Sequence, residues 1–310
     1  MEAIWSNRWW IYQRERFPLL GHAPLVAAFS FSAVAYASLL RGEVVLPHFS
    51  TWLVAFLTSL AFFLQLRIAD EFKDFDEDSR YRPYRPVPRG LIKLRELGVL
   101  GAALALLQLV LALWLFPPLV IVLVATWIYL ALMSHEFFLR EWLKARPITY
   151  LWTHMLIMPL IDLYATACDW MVAAGTLSHA AMPGGLFWFL IVSFFNGIVI
   201  EIGRKIRSPE DEEEGVETYS VLWGRKRAVV VWLGALLITA MSATFAAWQI
   251  DFMVPVLIVL LLLLATAAVA GWYFLRHLTA GAGKRFELIA GVWTLSMYIS
   301  LGAGPLLWKV

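Results

Sequence analysis

The most regular feature of the chain is a succession of long apolar segments separated by short polar ones. About 20 consecutive apolar residues are enough to cross a bilayer as a helix. We count nine such segments, near 23–40, 50–69, 97–115, 118–137, 149–168, 184–203, 228–248, 253–275 and 287–308. The pattern therefore predicts an all-α fold: a polytopic membrane protein with about nine transmembrane helices around a central cavity.

The segment before the first apolar run, residues 1–21, mixes tryptophans with charged residues. This mixture favours an amphipathic helix that lies on the membrane interface. A disordered, aromatic-rich leading segment is an equally open interpretation. Because no linker rich in Pro, Gly or Ser divides the chain, we expect residues 1–310 to form a single domain.

The composition supports membrane integration. Hydrophobic residues make up 61% of the chain and charged residues 15%, whereas a soluble protein carries about 25% charged residues. The surplus of apolar surface requires lipid, so the bilayer is an expected partner. Cys168 is the one cysteine in the sequence, which excludes an intramolecular disulfide and a cysteine metal cluster.

Basic residues concentrate in alternate loops, which predicts the orientation. The loops after the second, fourth, sixth and eighth segments are rich in Arg and Lys, whereas the opposite side offers Arg41 and Lys309. By the positive-inside rule, the N-terminus and the charged loops face the cytoplasm, and the C-terminus is external.

The loop after the second segment carries the strongest chemical signal. Asp70, Asp74 and Asp78 recur every four residues, so on a helix they lie about 6 Å apart along the axis and about 40° apart around it. Carboxylates on one face can hold hard cations. We predict that these three aspartates are the catalytic, metal-ligating residues and that Mg²⁺ is the cofactor.

Arginines follow the aspartates within a short distance. Arg82, Arg85 and Arg89 are candidates for bidentate contact with phosphate oxygens or for stabilising the loop. The three prolines among them prevent a continuous helix after Tyr81 and would fold the loop back over the cavity mouth. Carboxylates, Mg²⁺ and arginines together suit a diphosphate.

These residues resemble the first signature of the UbiA superfamily of intramembrane prenyltransferases. The family motif N-x-x-x-D-x-x-x-D is matched by Asp70, Asp74 and Asp78, with Asp in place of the usual Asn, and R-P-x-x-x-G is matched by residues 85–90. The layout of nine spans is similar as well, so the resemblance covers nearly the whole chain. It implies an isoprenoid diphosphate as donor and a lipophilic acceptor.

The second family signature fits less well. Gly215 and Thr218 match its G-x-x-T, but Tyr219 and Ser220 replace Leu-Pro, and one of the two upstream aspartates is missing. In this loop we assign Asp211 and Glu212 as candidate metal ligands. Basic residues stand where the family places a second metal, and we expect them to replace part of its charge. A decayed second site with a purely structural loop is the alternative.

Further candidates for substrate binding lie near the same mouth. Charged residues inside membrane spans are costly and mark functional sites, which favours Arg67 and Glu201. The resemblance implies that the loop after the fourth span caps the active site. The complete set of predicted substrate-binding residues is Arg67, Arg82, Arg85, Arg89, Lys144, Arg146, Glu201, Arg204, Lys205 and Arg207.

The resemblance therefore implies a Mg²⁺-dependent prenyltransferase that joins an isoprenoid diphosphate to a lipophilic acceptor, aromatic acceptors included, with release of diphosphate. Two alternatives stay open. One retains the ionisation but ends in cyclisation or in transfer of another activated group to a polyprenyl phosphate. The other is a non-enzymatic transporter. The basic clusters are too short to indicate nucleic acid, and neither the acceptor nor the prenyl chain length follows from the sequence.

Overall fold

The computed structural model describes residues 7–310, and residues 1–6 of the predicted interfacial segment lie outside them. In the described part, the regular α-helices are α1 (Arg8–Arg16), α2 (Leu19–Leu40), α3 (Phe49–Lys73), α4 (Phe75–Tyr81), α5 (Leu94–Leu115), α6 (Leu119–Ser134), α7 (Arg140–Lys144), α8 (Pro147–Met155), α9 (Ile157–Ala174), α10 (Leu186–Arg204), α11 (Tyr219–Leu222), α12 (Arg225–Trp248), α13 (Met253–Arg276), α14 (Lys284–Leu301) and α15 (Ala303–Lys309).

The all-helical, polytopic membrane architecture predicted from the apolar segments is confirmed. Within residues 7–310, eight helical segments have the length and hydropathy to cross a membrane. The ninth predicted span, 118–137, is the 16-residue helix α6, Leu119–Ser134. At 1.5 Å per residue, α6 is about 24 Å long and shorter than a hydrocarbon core of about 30 Å.

Two spans are broken, each by a proline. The segment Pro147–Ala174 divides at Leu156 into α8 and α9, and the segment Lys284–Lys309 divides at Gly302 into α14 and α15. A proline lacks the N–H that bonds to residue i−4, and its ring clashes with that carbonyl. Pro159 and Pro305 each follow a break by three residues, so these prolines explain where the helices end.

The helices pack in two groups. In the first, α2, α3 and α9 contact one another, with α5 against α3 and α6 against α9; in the second, α10 packs on α12 and α14, and α13 bridges these two. Contacts of α9 with α10 and of α14 with α2 join the groups. The outer helices α5 and α13 turn large apolar side chains outwards, among them Leu106 and Leu262, which suits contact with lipid.

The N-terminal helix α1 lies against the first group at its charged end. Arg16 forms a buried ion pair with Glu71 near the end of α3. Arg89 donates two hydrogen bonds to the Glu15 carboxylate, at 3.0 and 3.1 Å. These contacts hold an amphipathic helix at the level where the acidic loop begins.

Candidate active site

The three aspartates of the first loop remain on one helical stripe although the helix is formally broken at Asp74. The amide of Asp74 donates to the Asp70 carbonyl at 2.9 Å, and the amide of Asp78 donates to the Asp74 carbonyl at 2.8 Å. These i to i−4 bonds carry the register of α3 into α4. The spacing of four residues between these aspartates in the sequence therefore corresponds to successive helical turns in the structure.

Of the three stripe aspartates, Asp74 is the one without a paired cation among residues 7–310. Within residues 7–310, no side chain forms an ion pair or hydrogen bond with it. Burial raises the pKa of the Asp74 carboxyl above its ordinary value, Lys73 lowers it, and the charges of Asp70 and Asp78 raise it. A cation beside Asp74 would relieve both the burial and the repulsion.

Asp70 and Asp78 have different surroundings. Asp70 is half-exposed, and Arg67 Nη1 lies 3.4 Å from its Oδ2. Asp78 is buried, with Arg82 Nε 3.0 Å from Oδ1 and Arg85 Nη1 2.6 Å from Oδ2. Both arginines thus hold Asp78 and stabilise the proline-rich turn. The sequence predicts that these arginines bind phosphate or stabilise the loop; the ion pairs with Asp78 agree with the second role, and phosphate binding stays a prediction.

Four neighbouring groups that were not among the predicted site residues form a network beside the aspartates. Lys73 Nζ donates to Tyr150 Oη at 2.7 Å, and Tyr150 Oη donates to Glu136 Oε1 at 3.1 Å. His154 Nε2 lies 3.2 Å from Glu136 Oε2. The signal available in the sequence was weak: Lys73 stands between two aspartates, but only tertiary packing brings Glu136 and Tyr150 to it.

Glu136 is held in this network by an unusual backbone. Glu136, Phe137 and Phe138 have φ angles of 52°, 51° and 60°, in the left-handed region that non-glycine residues rarely occupy. Burial opposes ionisation of Glu136, but His154, Lys73 and Tyr150 outweigh it and lower the pKa to about 2. The loop therefore presents a negatively charged group to Lys73 at neutral pH, and strained backbone of this kind gathers at functional sites.

The C-terminal end of α10 faces the end of α3 and carries charged residues of its own. Glu201 accepts from Arg204 at 2.5 Å and from Lys205 at 2.8 Å. Arg204 also interacts electrostatically with Asp70 and Arg67 across the gap between α10 and α3. The structure therefore brings Arg204, near the end of α10, close enough to Asp70 and Arg67 of α3 for their charges to interact.

The loop after α10 uses its acidic residues internally. Both Asp211 carboxylate oxygens accept from the Gly281 amide, at 3.0 and 2.9 Å, and Asp211 also accepts from Ser208. The Thr218 hydroxyl donates its one hydrogen to the Glu212 carboxylate, whose two oxygens lie 3.0 and 2.8 Å away. Asp211 and Glu212 thus fasten the loop, and their metal role stays a prediction.

Arg207 and the motif glycine also belong to this loop's scaffold. Arg207 Nη1 donates to the Asp211 carbonyl at 3.2 Å and to Glu213 at 3.3 Å. Gly215 has φ 73°, and a Cβ there would lie 2.5 Å from the Tyr81 ring. Only glycine fits this position, because the second charged loop packs directly on the first.

The loop before α8 approaches the mouth from a third direction. Lys144 Nζ lies 2.6 Å from Glu77 Oε1, which connects α7 to α4. Arg146 stacks on the Trp142 ring at 4.4 Å and remains exposed. Lys144 is therefore linked to the acidic helix, whereas Arg146 contacts its own segment.

Of the three stripe aspartates, Asp70 and Asp74 are the two that could contribute ligands to a magnesium ion. Within residues 7–310, no three carboxylate, histidine or cysteine groups are close enough together to hold a metal ion by themselves. Protein magnesium sites commonly use one or two carboxylates and complete the shell with water and substrate phosphate. Asp70 and Asp74, on successive turns and free of the tight pairing of Asp78, fit that arrangement.

A sequence profile of the UbiA prenyltransferase family matches residues 31–300. The chain belongs to this family. The resemblance inferred from the first acidic motif is thus confirmed, and membership of the UbiA family supports membrane prenyltransferase activity. No curated protein shows significant similarity to the chain.

Solved structures of UbiA homologues share the fold at low sequence identity. The apo UbiA homologue from Aeropyrum pernix K1 is 14% identical with a TM-score of 0.68, over 92% of this chain and 98% of that one. A structure concerned with digeranylgeranylglyceryl phosphate synthase has 15% identity and a TM-score of 0.59, over 94% and 100%. An Archaeoglobus fulgidus homologue bound to DMAPP and Mg²⁺ has 14% identity and a TM-score of 0.51, over 90% and 97%.

Proposed function

We propose that this protein transfers a prenyl group from an isoprenoid diphosphate to a lipophilic acceptor in a Mg²⁺-dependent reaction at the mouth between α3 and α10. The observation that carries the proposal is the uncompensated carboxylate of Asp74 beside Asp70, with the basic groups of Arg67 and Arg204 close by. A diphosphate with a bound cation supplies the charges that this arrangement lacks.

Each group has a task in that reaction. Asp70 and Asp74 would hold Mg²⁺, which neutralises the leaving diphosphate. Arg67 and Arg204 orient the phosphate oxygens, and Glu136 keeps Lys73 and Tyr150 in fixed positions beside the metal-ligating pair. The C1–O bond breaks and its electron pair leaves on the diphosphate. The acceptor's electron pair forms the new bond to C1, and its proton departs with the diphosphate.

Asp74→Ala tests this proposal, with Asp76→Ala as the matched control. Asp76 is exposed and lies off the stripe of Asp70, Asp74 and Asp78, so its loss should leave activity within about twofold. Loss of Asp74 should lower the rate by about 100-fold or more, the usual effect of removing charge stabilisation from a site. The measurement is diphosphate release and lipid product from radiolabelled geranylgeranyl diphosphate, with Mg²⁺ and with EDTA.

Two results would contradict the proposal. One is full Mg²⁺-dependent turnover by Asp74→Ala. The other is ion flux through the wild-type protein in liposomes with no diphosphate release, which would favour the transporter. A cyclised product that forms without any acceptor would keep the role of Asp74 but replace the transfer by cyclisation.

A further inference from the structure

Three membrane-spanning segments carry polar side chains to one place in the middle of the bundle. Asp162 lies near the centre of the broken span that contains α8 and α9, and Tyr298 lies near the centre of the one that contains α14 and α15. Ser193 and Asn196 lie near the centre of α10. We call these four residues the midplane cluster. Ionisable groups at this depth are costly and mark functional sites, and the proposed prenyl transfer does not use this one.

The carboxylate of the midplane cluster is buried and has no positive partner. Asp162 is 0% exposed and Tyr298 is 2% exposed. Tyr298 Oη donates to Asp162 Oδ2 at 2.6 Å, whereas Asp162 Oδ1 forms no hydrogen bond within residues 7–310. No Lys, Arg or His of the described chain pairs with this carboxylate. Because one hydrogen bond does not offset the cost of burying an isolated charge, either a proton or a cation must neutralise Asp162.

The other members of the midplane cluster offer further unpaired oxygen atoms. Ser193 and Asn196 are 0% exposed. Both interact with the Tyr298 hydroxyl, and Ser193 also interacts with Asp162. In the part of the chain that the structure describes, however, Ser193 Oγ and Asn196 Oδ1 form no hydrogen bond of ordinary geometry. Since buried polar atoms are almost always satisfied, these oxygens indicate a small ligand that bonds to oxygen.

The charge of the midplane cluster favours a monovalent cation over a divalent one. Carboxylate, hydroxyl and amide oxygens are the donors that hard cations prefer. Asp162 supplies a single negative charge, so a divalent ion would leave one positive charge without compensation in the membrane interior. A monovalent ion leaves the cluster neutral, which is the condition for burying it.

Breaks in two of the three spans flank the midplane cluster. Pro159 stands three residues before Asp162, and Gly302, where α14 ends, stands four residues after Tyr298. A proline cannot donate to the carbonyl four residues before it. In membrane transporters, discontinuous helices of this kind line sites for Na⁺. The position of the cluster between two breaks therefore agrees with an ion site.

We propose that the midplane cluster binds one sodium ion through Asp162 Oδ1, Ser193 Oγ and Asn196 Oδ1. Tyr298 holds Asp162 Oδ2, which leaves Oδ1 for the ion. The ion neutralises the buried carboxylate and connects α9 to α10, while the bond from Tyr298 adds α14. The site stabilises the fold, and the inference does not depend on the proposed prenyl transfer.

Thermal unfolding at fixed ionic strength tests the site. The full chain in detergent at pH 8, with EDTA as its Tris salt, is titrated with NaCl in exchange for choline chloride, so that only the cation changes. We expect the thermal midpoint to rise with saturation, by about 4 °C at about 100 times the dissociation constant. Exchange with KCl should give less than half of that rise, because the larger ion does not fit between packed helices.

Variants locate the response. Asp162→Asn removes the charge and should abolish the rise with Na⁺. Asp169→Asn is the matched control, because Asp169 lies on the same helix but pairs with Arg41 at 2.9 Å, and it should retain the rise. Asp74→Ala should retain it as well, which would exclude the acidic mouth as the place where Na⁺ binds.

Ser193→Ala keeps the test decisive if Asp162→Asn does not fold. This variant removes one ligand with little change in volume, and it should raise the half-saturating Na⁺ concentration about tenfold, the effect of losing one bond to a charged group. Equilibrium binding of radiolabelled Na⁺ to the wild type and to Ser193→Ala measures the same change without unfolding.

Three results would overturn the proposal. A midpoint that does not respond to Na⁺, together with no bound radiolabelled Na⁺, would mean that a proton neutralises Asp162. An undiminished response in Asp162→Asn, or unchanged Na⁺ affinity in Ser193→Ala, would place the ion elsewhere. These measurements use no prenyl donor, so none of the three results bears on the proposed function.

Discussion

Asp70, Asp74 and Asp78 are chemically identical, and their neighbours give them different roles. Arg82 and Arg85 neutralise Asp78, so it serves the turn that follows α4. Asp74 has burial and like charges around it but no paired cation among residues 7–310. The spacing in the sequence predicted one stripe of three equal ligands, and it could not reveal which carboxylate other side chains occupy.

The contribution of Glu136 to stability should depend on pH. Its folded-state pKa of about 2 lies below the ordinary 4.5, so its ionised form stabilises the folded protein above about pH 4.5. That stabilisation is lost as the pH falls from about 4.5 towards 2. We expect Glu136→Gln to lower the thermal midpoint at pH 6 and to flatten the pH dependence in this window.

The control for that experiment is Glu141→Gln, since Glu141 is an exposed residue in the same loop region. Thermal unfolding in detergent between pH 2 and pH 6 gives both profiles. An unchanged profile for Glu136→Gln would show that the left-handed segment is held by packing alone and that its contacts with Lys73 and His154 contribute nothing measurable.

At the scale of helices, the close approach of α2 to the break between α14 and α15 joins the two packing groups. Gly302 stands at that break, and a Cβ there would lie 2.1 Å from the carbonyl oxygen of Ser32. Because this neighbour is backbone, it cannot swing aside as a flexible side chain would. The apolar pattern predicted one continuous last span and gave no sign of this contact.

We expect Gly302→Ala to destabilise the protein by about 3 kcal/mol, at the upper end of the usual cost of overpacking. Gly291→Ala is the matched control, because it lies within α14 with no heavy atom within 4 Å of the added Cβ, and it should be neutral or slightly stabilising. Thermal unfolding in detergent measures both. Equal midpoints for the two variants would contradict the close packing of α2 on Gly302.

At the scale of the whole molecule, the charged loops gather at one end of the bundle. Gly215 lies on Tyr81, Asp211 binds the Gly281 amide, and Lys144 reaches Glu77. The distribution of Arg and Lys predicts that this end faces the cytoplasm. Loop charge sets the membrane topology during insertion, and the packing of the helices does not reveal it. The orientation therefore stays a prediction.

Cysteine labelling tests the orientation, since the single native cysteine, Cys168, is buried. In a Cys168→Ala background, Ser79→Cys lies in the acidic helix and Val45→Cys lies in the exposed turn between α2 and α3. A membrane-impermeant maleimide applied to intact cells should label Val45→Cys, and Ser79→Cys only after permeabilisation. The reverse pattern would invert the predicted topology.

The sequence by itself determined the helical membrane fold, because apolar runs of bilayer length admit little else. It also determined the family and the acidic stripe, since both depend on local spacing within one helix. The tertiary structure decided how charges are paired. Asp78 pairs with two arginines, and Asp211 and Glu212 bind groups that fasten their own loop. Glu136 and Tyr150 lie next to Lys73 only in the folded chain. Pairing depends on distances between segments remote in the chain, and no local pattern encodes those distances.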